Sequence, residues 1–424
     1  MGNIWEIRRK VLGGKKQKFQ ASAILDPTSG KLIVSKRKIK EVSLQYCKDT
    51  LSNYEPEADY KEEIRLKKDI FQKFLSESEG TGNFNIRRET FDFIISKFRK
   101  SKKRNYDFLV KSGEGFKTAV FNFTRIMCKE EKFPENFKNT TLHMIFKGGQ
   151  GRREKLSENR FIHSKNWFPR TVEACVVEEG LREPLIDCSS IYQIGGQPGH
   201  RAEELVFSLK SIIAKYRAQG KPIIIQSYDL AKFFDKENIE DAILTCINRG
   251  ADLKACRLWY KLNQDTKIRV RTGAGMTDYA EAGALVGQGT IGGALVSQGV
   301  LDQGISGQFS PGGGDEMNFG SVPVAPFIFM DDIIHGAEGV EGARKANTKI
   351  DIAAKQLCLR LNQDKSVCTV MGSLKQRNFV RNTLNADPLM CGDFETKLKS
   401  KFKWLGQILS EGGLSESVAE TVAA

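Results

Sequence analysis

Three carboxylates are the residues of this sequence whose chemistry is most specific. Asp331 and Asp332 stand side by side in PFIFMDDIIH, residues 326–335, between two apolar runs. Asp229 ends the apolar run of PIIIQSYD, about a hundred residues earlier. Carboxylate oxygens are ligands that Mg²⁺ prefers, and two such ions held together serve the joining of nucleotides. If the three side chains meet, the sequence therefore predicts a two-metal site.

The elements around these residues must bring them together. Alternating apolar runs predict two strands joined by a tight turn, with Asp331 and Asp332 at its tip. A solvated turn is the alternative, because Asp is a common turn residue. The run PIIIQSYDL has the length and β-branched content of a buried strand, and helical spacing precedes it at 201–219 and follows it in DKENIEDAILTCINRG. This order indicates an α/β or α+β layer.

The composition indicates an anionic partner. The chain has 424 residues, 40% of them hydrophobic, and a formal charge of +14. Such a charge favours nucleic acid, although a merely soluble basic protein is the alternative. The nine cysteines and four histidines form no CxxC or HExxH pattern, which argues against a zinc site. We expect free thiols in a reducing compartment.

No part of the sequence has the features of a membrane or secretory segment. The longest apolar runs fall short of the roughly 18 residues that a spanning helix needs. The opening MGNIWEIRRK lacks the apolar core of a signal peptide. We therefore expect an intracellular protein, in the nucleus or cytoplasm, without a membrane partner.

Three segments have less specific patterns. Residues 1–104 are rich in charge, which predicts a loosely packed lead-in or linker, and their basic end KFRKSKKR at 97–104 is suited either to phosphates or to an exposed face. Glycine and basic residues at 148–155 predict a hairpin tip that closes over an anion. The six glycines of 283–299 predict either a close approach to a ligand or a flexible loop.

Several motifs occur in an order that resembles a known family. YDLAKFFD at 228–235, GQGTIGGALVS at 287–297 and FMDD at 329–332 are similar to the reverse transcriptase of non-LTR (LINE-type) retrotransposons, and more distantly to that of group II introns. The resemblance implies that Asp229, Asp331 and Asp332 are catalytic ligands of two Mg²⁺ ions, with Mn²⁺ as a substitute. Phe234 matches the steric gate that selects deoxynucleotides, and a core aromatic is its alternative role.

Further segments extend the resemblance over about residues 105–410. They are LHMIFKG, ENRFIHSKNW, YQIGGQPGHR, LCLRLNQDKSVCTVMG and FKWLGQIL. The resemblance implies that Lys365 protonates the leaving pyrophosphate. It implies nucleotide contacts for Lys147, Arg160, Phe234 and Gln288, and template or primer contacts for Gly196, Gly289, Leu405 and Gly406.

The resemblance also implies a fold and a function. We expect an α+β polymerase right hand with fingers at 105–220, a palm at 221–410 and the start of a truncated thumb at 411–424. The palm should contain antiparallel strands, the catalytic aspartates and a primer-grip hairpin. Expected partners are an RNA template, a DNA primer or product, and deoxynucleoside triphosphates. Methionine replaces the family's usual alanine in FMDD, and the glycine-rich stretch 306–321 is longer than a usual connection.

Two other functions fit part of this pattern. A catalytically inactive nucleic-acid-binding relic of a retroelement would bind template without extending a primer. An RNA-directed RNA polymerase would share the aspartates but would need a gate that admits the 2′-hydroxyl. Phe234 argues against this function. Charge alone does not separate the three functions, because all of them require a nucleic-acid partner.

Overall fold

Helices and strands are mixed along the whole described chain. The computed structural model describes residues 22–80, 82, 84–101, 107–148, 151–283, 286–309, 317–319 and 322–411. The helices are α1 (Lys36–Leu51), α2 (Lys61–Glu77), α3 (Arg88–Ser101), α4 (Asp107–Lys111), α5 (Glu114–Glu130), α6 (Trp167–Val176), α7 (Arg182–Asp187), α8 (Ala202–Ala218), α9 (Phe233–Lys236), α10 (Ile239–Asn248), α11 (Leu253–Asn263), α12 (Gly293–Leu301), α13 (Gly339–Gln356) and α14 (Leu374–Ala386).

The strands form two five-stranded sheets and several short hairpins. They are β1 (Ile24–Leu25), β2 (Leu32–Ile33), β3 (Asn139–Phe146), β4 (Asn159–Ser164), β5 (Ile223–Asp229), β6 (Lys267–Thr272), β7 (Gly275–Met276), β8 (Ala280–Glu281), β9 (Met317–Phe319), β10 (Val322–Val324), β11 (Phe327–Phe329), β12 (Asp332–Ala337), β13 (Val367–Met371), β14 (Met390–Cys391), β15 (Phe394–Glu395), β16 (Lys397–Leu398), β17 (Lys401–Trp404) and β18 (Gln407–Ser410). The α+β class predicted from the sequence is confirmed.

The first sheet, called here the central sheet, has the order β11-β12-β5-β13-β16. Its first three pairings are antiparallel, whereas β13 and β16 are parallel, so the expected all-antiparallel sheet is wrong at this edge. Strand β5 is buried on both faces, because Ile225 packs towards α8 and Ile224 packs with the cluster that includes residues of α13 and α14. The buried strand predicted from PIIIQSYDL is thus confirmed.

The second sheet, called here the outer sheet, has the order β4-β3-β6-β7, with β8 paired to β6. Strands β3 and β4 are antiparallel, and β3 and β6 are parallel. Helix α1 packs on this sheet through Ile39, in a cluster with Leu142 and Ile268. Lys147, directly after β3, acts electrostatically on Asp235, which follows β5, and Arg160 of β4 acts on Asp331.

Helix boundaries follow local sequence signals. The helix predicted before Pro134 is α5, which ends at Glu130 with Glu131 in a left-handed conformation, φ 51°. The predicted helix over 201–219 is α8, and its apolar face is buried as expected. Gly220 has φ 65°, a conformation that glycine adopts without cost, and therefore supplies the expected stop.

The expectation of a loosely packed lead-in is wrong for helices α2 and α3. Phe71 of α2 and Phe91 of α3 are fully buried in the same apolar cluster as Trp259 of α11. Surface charge concealed this packing in the sequence, because each helix has one apolar stripe and an otherwise charged face. The basic run 97–104 lies partly outside the described residues, as do the 148–155 tip, the glycine segments 283–299 and 306–321, and the predicted thumb 411–424.

Candidate active site

The end of β5 and the turn between β11 and β12 place two aspartates opposite each other. Asp229 and Asp332 are paired across the antiparallel strands, and Phe329 pairs with Asp332. The two-residue turn between β11 and β12 is therefore Met330 and Asp331. The predicted turn is confirmed, with the correction that Asp332 begins β12 instead of lying at the tip. Packing on both faces fixes its register, because Ile328 and Ile333 lie in the main apolar cluster while Phe327 and Ile334 lie in the cluster of α8, and a one-residue slip would exchange the two sets.

The carboxylates of the turn carry perturbed pKa values. Burial raises the pKa of Asp332 to about 6, and the charges of Asp331 and Asp229 add to the rise while Lys365 opposes it. Burial likewise raises the pKa of Asp331, with a further contribution from Asp229, and Lys365 and Arg160 act against it. Both groups are therefore negative charges held close together in a partly desolvated place, a state that a bound cation would relieve.

Asp229 is held by the loop before β13. The Lys365 ammonium lies 3.0 and 3.1 Å from its two carboxylate oxygens. The Asn362 side-chain amide donates to Asp229 Oδ2 at 3.0 Å, and the Asn362 backbone N–H donates to the Asp229 carbonyl at 2.7 Å. Lys365 thus contacts one of the three aspartates, and the proton transfer that the resemblance implies for it stays a prediction.

The donor chemistry of this site fits the magnesium ions that the resemblance implies. All three candidate ligands are hard carboxylate oxygens on strand ends, as Mg²⁺ requires. As the side chains of the described residues stand, however, no three acidic, histidine or cysteine groups converge closely enough to hold a metal ion. Lys365 is placed at Asp229, so its ammonium now supplies the positive charge that balances this carboxylate.

Two cations from the outer sheet and the residue that follows it act on carboxylates near the turn, Lys147 on Asp235 and Arg160 on Asp331. Lys147 directly follows β3, and its ammonium donates to the Ser157 carbonyl at 2.7 Å. Arg160 is paired with Ile145 across β3 and β4 and is exposed. Burial, with a contribution from the charge of Lys365, lowers the pKa of Lys147. Arg160 thus acts on Asp331 of the turn, whereas the aspartate on which Lys147 acts is Asp235.

The segment after β5 presents a ring and a fourth carboxylate. Phe234 is half-buried at the margin of the main apolar cluster, with its ring centroid 5.1 Å from that of the buried Phe233. Burial raises the pKa of Asp235 to about 6, against Lys232 and Lys147. Phe234 is thus neither fully in the core nor free of it, and both roles predicted for it stay open.

The glycine segment packs against β4. The Gln288 carbonyl accepts a hydrogen bond of 2.8 Å from the His163 backbone, and a Cβ on Gly289, whose φ is 102°, would meet the His163 carbonyl oxygen at 2.9 Å. Arg170 Nη1 donates to the Gly289 carbonyl at 3.4 Å. Protein backbone thus accounts for the close approach at Gly289, and a direct contact of Gln288 or Gly289 with template or nucleotide stays a prediction.

The loop containing Gly196 packs under the aspartate turn. A Cβ on Gly195 would collide with the Met330 backbone nitrogen and lie 3.0 Å from the Phe329 carbonyl carbon, and a Cβ on Gly196 would meet Met330 Cε at 2.7 Å. The Tyr192 carbonyl accepts a 2.9 Å hydrogen bond from β11. This predicted template segment therefore also sets the position of the turn.

The predicted primer-grip hairpin is β17 and β18. Leu405 and Gly406 form its two-residue turn with φ of 45° and 83°, the positive pair that such a turn requires. Leu405 packs in a cluster with Phe327 and Phe329 of β11. The hairpin is thereby tied to the strand that leads into the aspartate turn.

Three residues of the site were missed in the sequence. Asn362 lies three positions before Lys365, yet its contact with Asp229 spans 133 residues of chain. Gly195 and Gln298 contact Met330, the latter through a 3.6 Å contact from its amide to the sulfur. The only sequence signal was that each stands inside a segment already singled out for another residue.

In the part of the chain that the structure describes, no helix is both long and apolar enough to cross a membrane.

Comparison with known proteins adds no relative. No protein-family model matches the chain, and no curated protein matches its sequence.

Proposed function

We propose that this chain is an RNA-directed DNA polymerase of a non-LTR retrotransposon, with a right-hand fold in which the central sheet is the palm and the outer sheet belongs to the fingers. One observation carries the proposal. Asp229 and Asp332 are cross-strand partners, Asp331 adjoins them in the turn, and Arg160 of the outer sheet acts on Asp331. Carboxylates on rigid strand ends facing cations on a separate element are what a nucleoside triphosphate and two metal ions need.

The chain's own residues divide the work in this proposal. Asp229, Asp331 and Asp332 would hold two Mg²⁺ ions, or Mn²⁺ in their place, and these would lower the pKa of the attacking 3′-hydroxyl and stabilise the leaving pyrophosphate. Lys147 and Arg160 neutralise the triphosphate as charge-assisted donors. Phe234 lies beside the sugar and disfavours a 2′-hydroxyl by its bulk.

In this proposal Lys365 interacts first with Asp229 and then with the leaving pyrophosphate. Without metal its ammonium balances the charge of Asp229 at 3.0 Å. With metal ions bound, which would balance the charge of Asp229, the Lys365 ammonium would donate a proton to the pyrophosphate oxygen that leaves. The side chain is largely exposed, with 64% of its surface accessible, so it is free to swing between the two positions.

Primer extension on an RNA template tests the proposal. Wild type should add deoxynucleotides in Mg²⁺, and Asp331→Asn should reduce the single-turnover rate by at least about a thousandfold, because a ligand charge that stabilises the transition state is lost. Asp278→Asn, an exposed aspartate outside the site, is the matched control and should leave the rate unchanged. Equal rates for Asp331→Asn and wild type would refute the assignment.

A further inference from the structure

A cavity lies away from the aspartate cluster. It has a volume of about 660 Å³ and lies between the chain preceding α3, the exposed face of α5 and the first turn of α11. The lining side chains used below are Phe84, Asn85, Asn122, Arg125, Lys129 and Lys254. None of the residues assigned to catalysis lines it. Its volume is within the range of small-molecule and nucleotide sites.

The charged residues that line this cavity, among those described, are all cations. Arg125, Lys129 and Lys254 line it, and none of the described residues in its lining is acidic. Lys254 is only 9% exposed, and its ammonium donates to the Lys129 carbonyl at 3.2 Å. Glu131, next to α5, already pairs with Arg257 and with a lysine of α11. A nearly buried ammonium supported by a carbonyl is a place for an anion.

Aromatic and amide groups complete the lining. Phe84 is half-buried, and one edge of its ring packs on Gly180, where a Cβ would lie 2.9 Å from Cε2. Its position is therefore fixed, while part of the ring faces the cavity. Asn122 is exposed, and Asn85 is oriented by Arg125, whose Nε donates to its amide oxygen at 3.1 Å. Side-chain amides can both donate to and accept from the edge of a base.

Aromatic rings extend from the margin of this cavity to α6, the helix that carries Arg170. On α5, beside the lining residues, Phe123 is 49% exposed and stacks on Phe168 with centroids 5.8 Å apart. Phe168 contacts Trp167 at 5.2 Å, and Arg170 on the same helix donates to the Gly289 carbonyl. A line of rings flanked by cations is how proteins follow single-stranded nucleic acid without reading its sequence.

We propose that this cavity binds single-stranded nucleic acid, taking one unstacked base against Phe84 and its phosphate against Arg125, Lys129 and Lys254. The occupant is nucleic acid rather than an acidic peptide, because a carboxylate peptide would use the cations but not the ring and amides together. This site goes beyond the proposed function, since binding here needs neither metal nor catalysis.

Binding of a fluorescein-labelled decauridylate, measured by anisotropy without divalent metal, tests the cavity. The double variant Arg125→Glu, Lys129→Glu should bind about tenfold more weakly, with the slope of log affinity against log salt reduced by about 0.7, the value for one phosphate of a single strand. The control is Lys61→Glu, Lys68→Glu, an exposed pair on α2 with the same change in net charge. Its loss should stay below about threefold. Equal losses in the two double variants would overturn the proposal.

Two further readouts separate a nucleic-acid site from a general anion site. Phe84→Leu keeps an apolar group on Gly180 but removes the stacking ring, and should weaken decauridylate binding about fivefold or more while leaving inorganic polyphosphate binding unchanged. Competition by a decaglutamate peptide as strong as that by unlabelled decauridylate would overturn the proposal in favour of an acidic protein segment. Asp331→Asn should bind as wild type does, so loss of catalysis and loss of this site are distinguishable.

Discussion

Asp229 is the residue on which the polar contacts of the candidate site converge. It faces Asp332 across the sheet and accepts hydrogen bonds from Lys365 and Asn362. The Asn362 amide restrains one carboxylate oxygen, and its backbone anchors the loop that carries Lys365. We therefore assign Asn362 as a positioning residue, which acts on the reaction through the orientation of Asp229.

Removing the Asn362 amide should slow primer extension and weaken Mg²⁺ binding. Asn362→Ala is expected to lower the extension rate about tenfold and to raise the Mg²⁺ concentration that gives half of the maximal thermal stabilisation, because a hydrogen bond to a charged group is lost. Asn362→Ser keeps a short donor and should recover part of both effects. Asn382→Ala, at an exposed asparagine of α14, is the control. An unchanged Mg²⁺ midpoint in Asn362→Ala would contradict this role.

The raised pKa of Asp332 predicts how stability depends on pH. A carboxyl with a pKa of 3.8 when unfolded and about 6 when folded destabilises the fold progressively as pH rises through that window. Without metal, Asp332→Asn should therefore exceed wild type in free energy of unfolding at pH 7 by roughly 1 kcal/mol, a figure that allows for solvent screening. The difference should vanish below about pH 4.

Denaturant unfolding at several pH values measures this effect. Asp278→Asn, whose carboxyl is exposed, should follow the wild-type curve at every pH. Adding Mg²⁺ at pH 7 should stabilise wild type more than Asp332→Asn, because a cation relieves the repulsion among the carboxylates. Curves for Asp332→Asn and wild type that stay parallel from pH 4 to pH 7 would contradict the predicted coupling.

At the scale of elements, the aspartate turn depends on a loop from elsewhere in the chain. Gly195→Ala should destabilise the protein by about 1–3 kcal/mol and reduce extension at least tenfold, because the new methyl group collides with the Met330 backbone and displaces Asp331. Gly199, in the same loop, has φ 86° and open space around it. Gly199→Ala should therefore cost about 1 kcal/mol in backbone strain but keep extension within about threefold.

Thermal unfolding and single-turnover extension, measured on both glycine variants, separate strain from displacement. The predicted result is a loss of rate in Gly195→Ala that exceeds what its loss of stability explains. If Gly199→Ala loses as much rate as Gly195→Ala, general destabilisation explains both, and the loop has no particular influence on the turn.

At the scale of the whole molecule, the first helices belong to the core. Phe91→Ala should lower the free energy of unfolding by about 3–5 kcal/mol, since its ring is fully buried and lies 5.5 Å from that of Phe121. Phe93→Ala, on the same helix but at a position 46% exposed, should cost less than about 1 kcal/mol. If denaturant unfolding shows similar losses of free energy of unfolding for both variants, the prediction of a loosely packed lead-in is correct after all.

Local patterns predicted the elements better than their contacts. Strand β5, helix α8 and the β11–β12 turn followed from apolar spacing and turn residues, which act over a few positions. Two contacts join parts of the chain more than a hundred residues apart, the parallel pairing of β3 with β6 and the contact of Asn362 with Asp229. The periodicity of apolar residues does not predict contacts over such distances along the chain. The burial of α3 was hidden because its 14 residues mix charged and apolar side chains.

The most direct test of the central claim is incorporation of a single nucleotide by the purified wild-type chain on a primed RNA template in Mg²⁺. The account predicts template-directed addition of the matching deoxynucleotide, with the matching ribonucleotide added at least about a hundredfold more slowly. Retained template binding without any addition would contradict it and indicate a nucleic-acid-binding relic, and equal use of ribonucleotides would indicate an RNA-directed RNA polymerase.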